Sequence, residues 1–380
     1  MATNAAEASG LASHFPGCER RRSATSSELR AGPGALRHLR QRGLRPGDVC
    51  CVPAAAGGPK GLALLPLDRM LWREGWLPDG ASLELIGASV GAWRMAALAQ
   101  PDPLAALDRV QHAYVHGQCY STRPGPTEVS LACRQIARAA RGAGPLQVRP
   151  GVALGIVTAR ARGPLHDRAS KLAFGRAVVS NAISRRRLAG YLERVVFHGG
   201  ERPSLLDGAA AFDDFGLVNV ALTDDNAEDA LLASGTIPLL ASPVRNIVGA
   251  PDGNYWDGAL VDYHLLLPYP RLTGHGGRIV FYPHFNDYVT PGWLDKHLPW
   301  RKAPRAHAWL DDVLLVSPSA GFLKTLPNGK LPDRRDFYRY GPDHAGRIRA
   351  WETAIAECDR FAEAVLRWME RPDPTLVKPI

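Results

Sequence analysis

Two glycine motifs about thirty residues apart limit what this chain can fold into. The first, Ala56-Gly57-Gly58-Pro59-Lys60-Gly61, follows a short apolar run at 48–53, which reads as a buried strand. The second, Gly87-Ala88-Ser89-Val90-Gly91, follows another strand-like run at 82–86. Residues 62–76 between them carry apolar positions at helical spacing, and 92–98 begins a further helix. Strand, glycine loop, helix, strand, tight turn, helix is the order of an α/β unit with parallel strands.

The rest of the chain extends that pattern. Helices are expected at 28–43, 103–116, 128–141, 171–193, 227–234 and 346–369, and strands at 152–158, 217–223, 279–282 and 313–316. The Pro/Gly-rich stretch 268–304 reads as an irregular flap. There is no internal repeat and no clear linker. Residues 1–27 read as a disordered tail, 28–340 as one α/β domain with helical and loop insertions, and 341–380 as a C-terminal helix packed on it.

With 380 residues the chain is long enough to bury a full core. Its six cysteines show neither CxxC pairing nor His/Cys metal spacing, so they read as reduced cytosolic thiols and no metal site is expected. No apolar stretch approaches the length of a membrane span, and the first 27 residues lack an apolar export segment. A cytoplasmic protein is expected. The net charge of +9, carried in arginine clusters such as Arg185-Arg186-Arg187, favours anionic partners, including a peripheral membrane contact.

The chemistry centres on Ser89. A nucleophilic serine on a strand-to-helix turn needs small neighbours at both ±2 positions, and Gly87 and Gly91 supply them. The following helix turns its positive end toward any charge developing there. Gly57 and Gly58 can aim backbone N–H groups at an oxyanion, whereas Pro59 has none to offer. Lys60 either anchors this loop or meets an anionic head group. A nucleotide-binding P-loop is excluded, because Lys60 is followed by Gly61 and Leu62 and not by Ser or Thr. For the base, Asp-Gly occurs at Asp79, Asp207, Asp252 and Asp257, and Asp207-Gly208-Ala209 nearly duplicates Asp257-Gly258-Ala259. Context favours Asp257, which follows Tyr255-Trp256 and the apolar block 233–238.

Four blocks stand in order: the glycine loop (Gly57, Gly58, Lys60, Gly61), Gly87-x-Ser89-x-Gly91, Ala233-Ser234-x-x-x-Pro238 and Asp257-Gly258-Ala259. Together they resemble the patatin-like phospholipases over roughly residues 48–265, more than half of the chain. The resemblance implies a three-layer α/β/α fold with a mostly parallel central sheet. It implies cleavage of lipid or phospholipid acyl esters by a Ser–Asp dyad, with no cofactor and no metal. By position, Ser89 is the expected nucleophile, Asp257 the base, and Gly57 and Gly58 the oxyanion donors; Lys60 stands at the family's basic position. Ala56 replaces the first glycine of the family's usual triple, and Val261-Asp262-Tyr263-His264 stands where members often carry Asn and Pro.

Two other readings stay open at this level. One is a Ser–His–Asp esterase acting on a non-lipid ester, since His264, His275, His284 and His297 follow Asp257 in the chain. The other is a catalytically silent protein that binds anionic surfaces through its basic segments; no nucleic-acid-binding motif accompanies them. Aromatic residues from Tyr282 to Trp309 suit either an acyl pocket or loop packing.

Overall fold

A computed structural model describes residues 26–77, 82–167, 170–200, 214–274, 277–301 and 307–380. Outside these lie the tail to residue 25, Cys18, the alternative acids Asp79 and Asp207, His275, and the basic positions Lys302 and Arg305.

In chain order the strands are β1 (Ser27–Ala31), β2 (Val49–Ala54), β3 (Leu83–Ala88), β4 (Val152–Ala161), β5 (Leu192–Gly200), β6 (Leu217–Ala221), β7 (Val244–Arg245), β8 (Asn254–Asp257), β9 (Ile279–Pro283), β10 (Val313–Pro318) and β11 (Lys378–Pro379). They form one mixed, mostly parallel sheet, ordered β11-β1-β10-β9-β2-β3-β4-β5-β6, with β8 joined to β4 and β7 to β8. The central strands β2, β3, β9 and β10 are buried along their whole length, as runs such as Val-Cys-Cys-Val and Leu-Leu-Val require when both faces are covered. Helices cover both faces, giving three α/β/α layers. Helices Leu65–Arg73, Val90–Leu98, Pro103–His116, Pro126–Arg141 and Ala227–Ser234 contact one another in one layer, joined by His344–Glu357 and Asp359–Glu370.

Several boundaries differ from the expectation. Ser27 belongs to β1, paired with Pro318, and not to a tail. The helix expected from residue 28 begins at Pro33, because Gly32-Pro33 forces an extended residue ahead of a proline-started helix. The helix expected over 171–193 ends at Ile183; Ser184 is extended, a short turn Arg185–Leu188 follows, and β5 starts at Leu192. The C-terminal helix is two helices meeting at Cys358, followed by β11. The strand expected at 279–282 is present as β9, fully buried at the centre of the sheet, so the stretch 268–304 is not an irregular flap throughout. The five described cysteines, Cys50, Cys51, Cys119, Cys133 and Cys358, are free thiols. No helix among the described residues is long and apolar enough to cross a membrane.

Candidate active site

Parallel sheets leave a crevice at the carboxyl ends of their strands, where helix N-termini gather. β2 and β3 are parallel neighbours, with Ala54 paired to Gly87, so the two glycine motifs leave the same edge side by side. Ser89 turns between β3 and the helix Val90–Leu98 with φ 57° and ψ −129°, a conformation costly for any residue with a Cβ. The flanking glycines are required by close approach. A Cβ on Gly91 would lie 1.9 Å from the Ala54 carbonyl oxygen, and one on Gly87 2.4 Å from the Gly91 backbone. Gly61 abuts Val90 in the same way, its added Cβ falling 2.7 Å from Cγ1.

Asp257 ends β8, the short strand laid antiparallel on β4. Its position is referred to the same strand that sets Ser89: Val157 pairs with Ala88, and the next residue, Thr158, pairs with Asp257. Gly258 packs against the Val157 carbonyl, which a Cβ would meet at 2.3 Å. The result is a buried dyad in which Ser89 Oγ donates to Asp257 Oδ2 at 2.8 Å. The other carboxylate oxygen accepts the Ala259 N–H at 2.8 Å. The Asp257 N–H donates to the Thr236 carbonyl, which ties the dyad to the block 233–238. In that block Ser234 accepts the Ser89 N–H at 2.9 Å and donates to the Val157 carbonyl at 2.7 Å. All four sequence blocks therefore meet at one point.

Gly57 and Gly58 stand beside the dyad in the same cavity. Gly58 has φ 57°, which turns the loop into the short helix Gly58–Leu64. Neither N–H is taken up by a turn or cap within the described residues, while the preceding Ala56 N–H is held by the Tyr263 carbonyl at 2.9 Å. Lys60 lies with its ammonium 5.2 Å from the centre of the Phe285 ring. One contact had no motif to announce it: Arg94 forks onto Asp68 with two bonds of 2.7 Å, both residues buried. It clips together the two helices that leave the two glycine motifs.

Burial pushes the Asp257 carboxyl up to about 6, opposed by the Ala259 N–H, the Arg334 guanidinium and the Ser89 hydroxyl, which favour the carboxylate. Burial also lowers Lys60 below the usual lysine range.

Among the described residues the histidines take no part in this constellation. His264 accepts the Thr290 N–H, His284 accepts the Asn286 N–H, and their rings stack among Tyr263, Tyr282 and Phe285. Burial holds both neutral, with His284 near 3. Neither hydrogen-bonds to Ser89 or Asp257. Asp262 is likewise spent on structure: Arg194 forks onto it at 2.5 and 2.9 Å, and Arg185 donates to the Val261 carbonyl, bracing the turn behind Asp257. Among the described residues no group of three or more His, Cys, Asp or Glu converges as metal ligands.

The chain matches no protein-family model and no curated protein sequence. Its site therefore speaks through its own geometry. The cavity above Ser89 has a volume of about 410 Å³, ordinary for a small-molecule site. Ile237, Pro238, Leu260, Tyr263 and Trp293 give it an apolar side. Lys60, Lys296, Arg334 and Arg335 give it a cationic one, and only Lys60 of these four was marked by the sequence. Arg334 and Arg335 lie far beyond the last motif, at the N-cap and first residue of helix Arg335–Tyr340, where nothing local distinguishes them from surface arginines.

Proposed function

We propose that this chain is a serine acyl-ester hydrolase of the patatin-like type, cleaving lipid or phospholipid acyl esters through an acyl-enzyme on Ser89. The observation that carries the proposal is the 2.8 Å hydrogen bond from Ser89 Oγ to Asp257 Oδ2 at a strained strand-to-helix turn, with no histidine among the described residues bonded to either.

The chemistry follows from the atoms present. Ser89 Oγ attacks the ester carbonyl carbon as its proton passes to Asp257. A carboxyl with a pKa near 6 is a better proton acceptor than an exposed carboxylate and is still largely ionised at neutral pH. The carbonyl oxygen becomes an oxyanion, for which the free Gly57 and Gly58 N–H groups are the available donors; each such donor contributes about 3–4 kcal/mol. Collapse breaks the ester C–O bond, and the leaving alkoxide takes the proton from Asp257. Water then attacks the acyl-enzyme, giving its proton to Asp257, and Ser89 recovers a proton as the acid departs. No step calls for a cofactor. In this reading the enzyme works in the cytoplasm and meets anionic membranes peripherally, a contact motivated by the +9 charge.

The test is covalent. A fluorophosphonate should label the wild type on Ser89 and leave Ser89→Ala unmodified by intact mass, and p-nitrophenyl ester turnover should vanish in Ser89→Ala and Asp257→Asn while both stay folded. Turnover that survives in Asp257→Asn overturns the dyad.

A further inference from the structure

The cavity wall around the dyad is more cationic than an ester hydrolase needs. Lys60, Lys296, Arg334 and Arg335 reach it from three separate segments. The carboxylates lining it are Asp257, committed to Ser89, and Asp333. Asp333 is already engaged, its Oδ1 lying 2.9 Å from Lys330 Nζ and accepting the Arg335 N–H at 2.8 Å. None of the four cations has an ion-pair partner among the described residues. Arginines elsewhere commonly do, as in Arg94–Asp68, Arg160–Glu193, Arg185–Asp214 and Arg194–Asp262.

The cavity cations are also held close to one another. Lys60 lies over Phe285, and Lys296 lies 4.6 Å from the centre of the Trp293 ring. Arg334 stands against the oxyanion loop: a Cβ on Gly58 would meet its Nε at 3.2 Å. Burial, and then the charges of Arg334, Lys60 and Arg335, lower Lys296 below the usual lysine range. Lys60 is depressed by burial and by Lys330 and Arg335, with Asp333 opposing. A cluster of like charges in a half-enclosed cavity is self-repelling, and its field concentrates anions there. One oxyanion with a single developing charge, already facing two backbone N–H groups, does not account for four cations.

We propose that this pocket selects esters that carry a second, permanently anionic group, a phosphate or a carboxylate, which Arg334, Lys60 and Lys296 hold while Ser89 attacks the carbonyl. The proposal rests on the hydrolase reading of the same site. Arg334 offers the planar fork suited to two oxygens, and the lysines act as point charges beside it. Each charge-assisted contact of this kind is worth about ten- to a hundredfold in selectivity. The apolar side formed by Ile237, Leu260 and Trp293 is then left for the acyl chain.

The experiment compares matched esters that differ only in charge. One pair is p-nitrophenyl hemiglutarate and its neutral methyl ester. The other is a monoacylglycerol phosphate, used below its micelle concentration, and the corresponding monoacylglycerol. The expected result is a kcat/KM at least tenfold higher for the anionic member of each pair, and a collapse of that ratio in Arg334→Gln and in Lys296→Gln, with melting temperatures unchanged. Phosphatidate in vesicles distinguishes the source of the anion: preference for the vesicle substrate indicates a lipid headgroup, and preference for the dispersed esters indicates a soluble phosphate or carboxylate ester. Equal kcat/KM within both pairs overturns the proposal. So does an Arg334→Gln variant that loses both members by the same factor, because the guanidinium then serves the oxyanion or the fold. Failure of the hydrolase reading looks different, since no ester would turn over. In that case calorimetric titration of Ser89→Ala with hemiglutarate and its methyl ester decides: at least tenfold tighter binding of the anion sustains the selectivity, and equal binding removes it.

Discussion

Ser234 holds the Ser89 amide at 2.9 Å while giving its own proton to the Val157 carbonyl at 2.7 Å, so one hydroxyl 145 residues away pins the strained turn at Ser89 to the sheet. Ser234 is fully buried. Removing its hydroxyl strands a buried donor on Ser89 and a buried acceptor on Val157. Ser234→Ala should lower stability by about 1–3 kcal/mol and cut kcat by roughly tenfold or more with little change in KM, because the loss falls on the aim of the nucleophile and not on the substrate wall. Urea unfolding and ester kinetics on the same preparation check both parts.

The raised carboxyl of Asp257 makes two linked predictions. In the proposed mechanism its ionised form is the base, so kcat/KM should rise with pH through a midpoint near 6 and level off above. Stability should run the other way. The folded protein binds this proton more tightly than the unfolded chain, where the value is 3.8, so the contribution is complete below pH 3.8 and is lost as pH rises through about 6. Asp257→Asn removes the buried charge. It should therefore be inactive yet more stable than the wild type at pH 8, on the order of 1–3 kcal/mol, and the two should converge near pH 4. Urea midpoints at the two pH values test this, and a variant less stable than the wild type at pH 8 contradicts it.

Gly91 offers a purely steric prediction. Gly91→Ala places a methyl 1.9 Å from a main-chain oxygen of β2, where no flexible side chain can give way. The helix Val90–Leu98 and β2 must separate, so several kcal/mol of destabilisation, or failure to fold, is expected. Gly75→Ala is the control: an added methyl meets nothing within 4 Å, and its cost is confined to the positive φ of 69°. Thermal melts of the two variants should differ widely.

The Arg94–Asp68 clip predicts a non-additive pair. Arg94→Leu leaves Asp68 buried without its partner and should destabilise by about 3–5 kcal/mol. Adding Asp68→Leu should recover part of that loss, since a buried ion pair replaced by apolar groups is often close to neutral. Activity in the double variant should stay below that of the wild type, because the helices behind the oxyanion loop and the nucleophile are no longer fastened to each other.

The sequence disclosed the site better than the chain path around it. Gly87 and Gly91 mark the turn because any larger residue collides there, and Asp257 was separable from its near-duplicate at Asp207 by the aromatic residues before it. β5 was missed because Arg185-Arg186-Arg187 prolongs a helical charge pattern, while the break lies in the backbone of Ser184. β1 was hidden by leucines at helical spacing, although Gly32-Pro33 divides them. β8 has only four residues, too few for a period to register. The cationic wall was invisible for a different reason. Arg334 and Lys296 are ordinary loop residues in sequence, and only the fold brings them to Ser89.

One geometric fact reaches beyond catalysis. Ser89 and Asp257 are both measured off adjacent positions of β4, Val157 and Thr158. A single strand is thus the ruler for the dyad, and the long excursion between β4 and β8 touches its members through Ser234 and Thr236. Outside the Ser234–Thr236 segment, which bonds to both members, that excursion can lengthen, shorten or be exchanged while the pair keeps its spacing. The same architecture can therefore diversify through its peripheral segments in what reaches the cavity, while the Ser89–Asp257 pair stays as it is.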